Sequence, residues 1–320
     1  MKNQYRNFLC TVVAAAVSIS AGAQGYPNKP IRLLVPFAPG GGTDIVARRI
    51  AQKLTEALGQ QVVVDNRGGA GGVLGADITA RAAPDGYTII LVSGSYAVNP
   101  SLYKLSFDPV DGISPIGLVG ISADLLAVYP GVPVKTTQEL IAYAKAHPGK
   151  LNYGSTGVGG FTHLATELFK MMTQTDMLHV PYKGTGPAMA DLLGGQVQIL
   201  FGGIASEISF VRSGRLKGLG VTTPKRLPGV PDIPAIAETV PGYEAVLWYG
   251  VWGPPKLPRE VVTRISDELK KIVALPVTRN QLALEGVEAE HMPPEEFRKF
   301  LRAEITKWGK VVKAAGVKGD

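Results

Sequence analysis

Residues 35–44 read VPFAPGGGTD. An apolar run ends at Pro39, three glycines follow, and Thr43-Asp44 open a helical pattern. Each glycine raises the entropic cost of folding. Three in succession imply that something must approach the main chain closely. Five more turns have similar character: NRGGAGGVLG (66–75), VSGSYAVNP (92–100), YGSTGVGGFTHL (153–164), VPYKGTGPAM (180–189) and LFGGIAS (200–206). Glycine, serine and threonine dominate them, and Lys183 is their one lysine. Free N–H groups at a helix start attract anions without a charged side chain, so the chemistry these turns suit is main-chain docking of a small anion.

Enzymatic readings of the same turns fail. A phosphate-binding P-loop needs G-x-x-x-x-G-K-[ST], and no glycine-rich turn ends that way. A dinucleotide fingerprint needs G-x-G-x-x-G, but Leu74 stands where the third glycine belongs. A hydrolase elbow needs G-x-S-x-G, which no serine satisfies. Ser155 comes nearest to a nucleophile with His163 on the same segment, yet no acid is placed to orient the base. With Cys10 the only cysteine, and inside an N-terminal leader, the mature chain offers no disulfide, zinc-thiolate site or cysteine nucleophile. No metal and no cofactor is expected.

The elements that must position these turns alternate. IRLLVPF reads as a strand. DIVARRIAQKLTEALG follows as a helix, with Ile45, Ile50, Leu54 and Leu58 on one face and Gly59 as its stop. QVVVDN, YTIILVS, KLNYGS, DMLHVPY, VQILFGG and LKGLGVT read as further strands. VLGADITARAA, TTQELIAYAKAHPG (with a threonine cap), FTHLATELFKMM, GPAMADLLGG and IASEISFVRSG read as helices between them. The alternation predicts α/β architecture with mainly parallel sheets and right-handed crossovers. Ligands of such sheets sit beyond the carboxyl ends of the strands, where the glycine-rich turns lie.

Two extended apolar segments break the alternation: 113–130, ISPIGLVGISADLLAVYP, which holds two apolar runs without an intervening helix, and 245–253, AVLWYGVWG. They predict strands that cross between two lobes. Lobe 1 is expected over 24–120 plus 254–320, lobe 2 over 121–245, and a crossing strand or hinge over 246–253. About 300 mature residues favour two domains over one core. The C-terminal helices should pack back on lobe 1.

Lys2 and Arg6, a short apolar stretch and Ala21-Gly22-Ala23 compose a cleavable secretory signal over 1–23. The mature chain is expected to start near Gln24, in a bacterial periplasm. No later segment has the length and apolarity of a membrane helix. Net charge is +7, and losing Lys2 and Arg6 leaves +5. The charge forms no basic stripe or nucleic-acid module, so no nucleic-acid partner is expected. A mild positive field favours small anions.

Taken in order, YPNKPIRLLVPFAPGGGTDIVAR, VVVDNRGGAGGVLGAD, PDGYTIILVS, NPSLY, LNYGSTGVGGFTHLATELF, HVPYKGTGPAMADLLGGQVQILF and LPGVPDIPAIAET resemble the periplasmic receptors of the tripartite tricarboxylate transporter family, the Bug receptors, over the whole mature length. The resemblance implies a two-lobed Venus-flytrap binding protein, type II-like, that is not an enzyme. It would be a monomer that hands a small organic anion to membrane transporter subunits. Dicarboxylates, tricarboxylates, aromatic acids and amino acids all fit a main-chain anion site. The alternatives are an exported small-molecule hydrolase and a ligand sensor for a membrane signalling partner.

The resemblance also implies a site. In lobe 1 it takes in Phe37, Ala38, Pro39, Gly40, Gly41, Gly42, Thr43 and Asp44, with Ser93, Ser95 and Tyr96 from the third turn. In lobe 2 it takes in Ser155, Thr156, Gly157, Gly160, Thr162 and His163, completed by Lys183, Gly184, Gly202 and Gly203. Many relatives carry a small residue or histidine where this chain has Tyr96. Several residues admit a plainer role. Asp44 and Thr43 suit a helix cap or first turn, and His163 could serve only a local backbone group. Phe37 is expected as a pocket wall rather than the last core residue of its strand. The loop Asn66–Gly72 is left out of the site as strand–helix packing. Trp248, Tyr249 and Trp252 are expected as core or hinge packing.

Overall fold

The computed structural model describes residues 25–37, 39–182 and 184–318. The leader over 1–23, Ala38 and Lys183 therefore lie outside the described residues.

The chain opens with β1 (Ile31–Val35), α1 (Gly42–Leu58), β2 (Val62–Asn66), α2 (Val73–Ala80), β3 (Thr88–Ser93) and the short α3 (Asn99–Leu102). β4 (Ser114–Val128) follows, then α4 (Thr137–Ala146), β5 (Asn152–Ser155), α5 (Phe161–Thr173), β6 (Leu178–Pro181), α6 (Thr185–Leu193), β7 (Ile199–Gly203), α7 (Ile204–Arg212) and β8 (Lys217–Val221). The last part holds β9 (Val246–Gly253), α8 (Arg259–Ala274), α9 (Pro276–Leu284), β10 (Val287–Glu288) and α10 (Pro294–Ala315).

Local signals act as the sequence suggests. Gly59 closes α1 in the left-handed region at φ 67°, with its N–H donating to the Thr55 carbonyl at 3.1 Å. Thr136 caps α4 by accepting from the Glu139 amide at 3.1 Å.

The strands run β2-β1-β3-β9-β4-β7-β5-β6. β1 pairs in parallel with β2 and β3, and β5 in parallel with β6 and β7. The parallel expectation holds for these outer three strands of each half. In the middle, β9 is antiparallel to β3 and β4, while β4 is antiparallel to β7, β8 and β10. The two predicted apolar runs over 113–130 are one strand: β4 pairs with β9 as far as Ala123, then with β7 from Asp124. β9 lies wholly in the first sheet, so the chain returns from the second half at Ala245, whose N–H donates to the Thr222 carbonyl.

α10 packs against both halves. The Trp248 and Trp308 indole N–H groups both donate to Glu304, at 3.2 and 2.9 Å. Trp308 in turn meets Phe161 of α5 edge-on at 5.4 Å. A single buried cluster containing Trp252, Trp248, Phe297, Trp308, Phe161 and Phe169 thus runs through both halves.

Candidate functional site

Each helix start at the carboxyl edge of a parallel strand presents amides that have no acceptor within the helix. In α1 the first amide bonded to the turn is Ile45, which donates to Gly41. Gly42, Thr43 and Asp44 precede it and belong to that unpaired first turn. The three glycines differ. Gly40 alone is left-handed, at φ 83°. Gly41 is the N-cap with φ −81°, open to any residue. Gly42 lies under the Tyr249 hydroxyl, 3.2 Å from where a Cβ would stand.

Asp44 is a brace for this turn. Its carboxylate is buried and accepts from the Gly40 amide at 2.9 Å, from Arg48 Nε at 2.9 Å and from Asn66 Nδ2 at 2.9 Å. The same Asn66 amide donates to the Phe37 carbonyl at 3.0 Å. Burial works against ionisation, but the bonds from Arg48, Gly40 and Asn66 outweigh it and hold the carboxyl below the ordinary range. Half-buried Phe37 is backed by Gly72 of the Asn66–Gly72 loop, whose Cβ would come within 3.4 Å of its ring. Pro39 is exposed at the mouth of the turn.

In the third turn Ser93 and Ser95 share a hydrogen bond at 3.1 Å. Tyr96, expected among the ligand-binding residues, is buried in the core instead. Its ring is 2% exposed and packs 5.5 Å from Trp252, while its hydroxyl donates to the Pro109 carbonyl at 2.9 Å. A short 3₁₀ turn over Gly94–Ala97 aims it into the core rather than the cleft.

The lobe 2 turn is bonded largely to itself. The Thr156 amide donates to Thr162 Oγ1 at 2.9 Å, that of Gly160 to the Gly157 carbonyl at 3.2 Å, and that of Gly159 to His163 Nδ1 at 3.0 Å. Gly157 at φ 138° and Gly159 at φ 71° make this path possible. The first-turn amides of Phe161, Thr162 and His163 remain for a ligand. His163 takes the local role: its ring is buried and accepts from the loop instead of pointing to solvent. Burial, then the adjoining His179, pushes its pKa down to about 4.

Sequence reasoning missed His179. Parallel pairing sets it beside Tyr153, and it stacks on His163 at 3.8 Å. Ser155 Oγ lies 2.6 Å from His179 Nε2. This is a serine–histidine pair, but Glu167, the nearby acid, is engaged by Tyr153 and Lys170. The parallel register of β5 with β6, which sets Tyr153 opposite His179, is the signal that brings His179 to this site. Asp124 and Glu207 were missed too, since nothing local marks them, and Tyr249 was expected only as core or hinge packing.

Gly184 caps α6 at φ 110° with open space around it. Gly203 caps α7 and pairs with Asp124 across β4, and Gly202 beside it is covered by the Glu207 carboxyl. The two halves touch at the expected turns: a Cβ on Gly94 would lie 3.7 Å from Phe161, and Gly159 lies against Leu102. Among the described residues no group of three His, Cys, Asp or Glu could hold a metal ion, and no helix is long and apolar enough to cross a membrane. A separate open groove of about 790 Å³ runs outside, between α5 and α10, lined by Leu168, Met171, Lys299 and Lys310 and away from these turns.

A family description, the tripartite tricarboxylate transporter family receptor, matches residues 46–317. The chain is 34% identical to protein BugT of Bordetella pertussis over 96% of this chain and 95% of that one. A solved structure described as a periplasmic transporter is 39% identical with a TM-score of 0.79, covering 92% of this chain and 100% of that one. Rpa4515 of R. palustris, solved with adipate, is 35% identical with a TM-score of 0.79 over 92% of this chain and 99% of that one.

Proposed function

The chain belongs to the receptor family of the tripartite tricarboxylate transporters, and from that premise we propose that it captures a small organic carboxylate between its halves and delivers it to membrane transporter subunits. The observation that carries this reading is the pair of open helix starts, α1 after β1 and α5 after β5, in turns that place no unpaired cationic side chain among the described site residues. The acid nearest the first start, Asp44, is already neutralised by Arg48, so it does not repel an anion strongly. The adipate held by the Rpa4515 relative supports the same ligand class. The receptor works in the periplasm as a monomer after losing residues 1–23. Lobe 1 (24–120 and 254–320) and lobe 2 (121–245) close about Ala123-Asp124 and Ala245-Val246. A ligand can drive that closure only through contacts with both lobes.

A thermal-shift screen of the mature protein against carboxylates tests this. A ligand at a hundred times its dissociation constant adds about 2.7 kcal/mol. No shift with any carboxylate, or turnover of one, refutes the reading. Scattering curves should show compaction with a saturating hit, and an intact Met1 in the exported protein would refute the cleavage.

A further inference from the structure

Two carboxyl groups at the joint between the halves have no part in holding an anion. Asp124 stands where β4 changes partner from β9 to β7, opposite Gly203. Glu207 stands in the first turn of α7, the helix that Gly203 caps. They are 3% and 0% exposed. Asp124 Oδ2 has no hydrogen-bond partner, and the Glu207 carboxyl has none beyond the Gly202 amide it lies against, whose contact is too poorly aligned to satisfy it. The Glu207 carboxyl folds back over Gly202, where a Cβ would lie 2.8 Å from its Cδ, so the glycine makes room for the acid.

No cation answers them. Among the described residues neither acid has an ion-pair partner. The charge of Asp124 bears on the hydroxyls of Tyr243 and Tyr249, and that of Tyr243 is committed to the Ala165 carbonyl. Native proteins leave few buried polar groups unpartnered, and each such group asks for an explanation. Three orphan acceptors converge here at the carboxyl end of β7, the edge where ligands of α/β sheets lie. Tyr249, whose hydroxyl covers Gly42, links this place to the first glycine turn.

A protonated primary amine has three donors and a compact charge, which matches three acceptors. A solute carrying only carboxylates has nothing to offer them. We propose that Asp124 and Glu207 form an ammonium-receiving subsite at the joint between the halves, reached as the lobes move, so that the captured solute carries a protonated amine beside its carboxylate. This rests on the receptor reading above. Burial pushes both carboxyls up, Asp124 to about 7 and Glu207 well above its ordinary value with Asp124 adding to the rise, so binding of an ammonium should be accompanied by release of a proton to solvent.

The test uses matched pairs of acids on the mature protein by calorimetric titration: aspartate with succinate, glutamate with glutarate, and phenylalanine with 3-phenylpropionate. The expected result is that the amine-bearing member of the best pair binds at least tenfold tighter. Asp124→Asn and Glu207→Gln should each bring that preference within threefold. Equal or tighter binding of the deamino acids by the unaltered protein overturns the proposal, whatever the variants do. So does an amine preference that survives both substitutions. Binding of the deamino acids alone leaves the receptor reading standing and sinks the subsite; binding of no carboxylate at all sinks both.

Discussion

Replacing Asp124 by asparagine should stabilise the unliganded protein at pH 8 and not at pH 5. The carboxyl is buried without a cation, and its pKa is raised from 3.8 to about 7. The folded value exceeds the unfolded one, so between these limits the folded protein keeps a proton that the unfolded chain has lost. Stability therefore falls as pH rises through this window, and the full penalty is in place above pH 7. A shift of that size is on the order of 4 kcal/mol. Asparagine carries no charge to desolvate but keeps a buried amide, which costs about 1–3 kcal/mol where it finds no partner. The net gain at pH 8 is about 1–3 kcal/mol. At roughly 2 °C per kcal/mol for a chain of this size, Tm should rise by about 2–6 °C. At pH 5 the native acid is protonated, the two terms nearly cancel and Tm should move little. Calorimetric scans of both proteins at both pH values check this. An equal fall in Tm at pH 5 and pH 8 would show that the carboxylate has a partner in solution, and the account of an orphaned acid would be wrong.

His163 should act in the opposite direction. Its folded pKa, about 4, lies below the unfolded 6.5, so its contribution is complete above pH 6.5 and lost as pH falls towards 4. The shift corresponds to roughly 3 kcal/mol, or about 2 after allowing for partial solvent contact; urea midpoints at pH 7 and 5 should show the loss, and His163→Gln should flatten it. Gly40→Ala forces a side chain into the left-handed region at φ 83° and should cost about 1–2 kcal/mol, whereas Gly41→Ala at φ −81° should not strain the turn. Thermal melts that rank the two equally would place the strain elsewhere. Tyr96→Phe should lose about 1 kcal/mol with its bond to the Pro109 carbonyl and leave carboxylate affinity unchanged; a tenfold loss of affinity would return Tyr96 to the pocket.

What the sequence disclosed follows the range over which the cause acts. Thr136 and Gly59 mark helix ends because caps and stops depend on neighbours three or four residues away. The glycine-rich turns were visible for the same reason. β4 was not visible as one strand, because Gly117 and Gly120 interrupt its apolar pattern; register shifts against β9 fall there. Which strand pairs with it at each point is decided by chain about 70 to 170 residues away, from Val128↔Ile199 to Ile121↔Glu288. Tyr96 could not be placed because a 3₁₀ turn has no long periodicity to say which side faces inward. His179 and Glu207 acquire partners or lose them only through pairing between strands distant in sequence.

The glycine triplet at 40–42 divides its labour, and that division limits what it can do for a ligand. Gly40 makes the left-handed bend, and its N–H is already given to Asp44. Gly41 caps the helix, and Gly42 admits the Tyr249 hydroxyl. The anion-facing donors of this turn are then the first-turn amides that follow the cap. Two or three such bonds to a carboxylate contribute about 1.5–3 kcal/mol each, and they recognise the carboxylate while ignoring what it is attached to. The lobe 2 turn adds the first-turn amides of α5, since its glycine amides are bonded internally. Neither turn can tell one carboxylic acid from another. Discrimination has to come from groups that are costly to leave unpaired, because a buried polar group rejects a solute lacking its complement far more strongly than an apolar pocket rejects an added methylene. Among the described residues around the cleft, the unpaired acids Asp124 and Glu207 meet that condition.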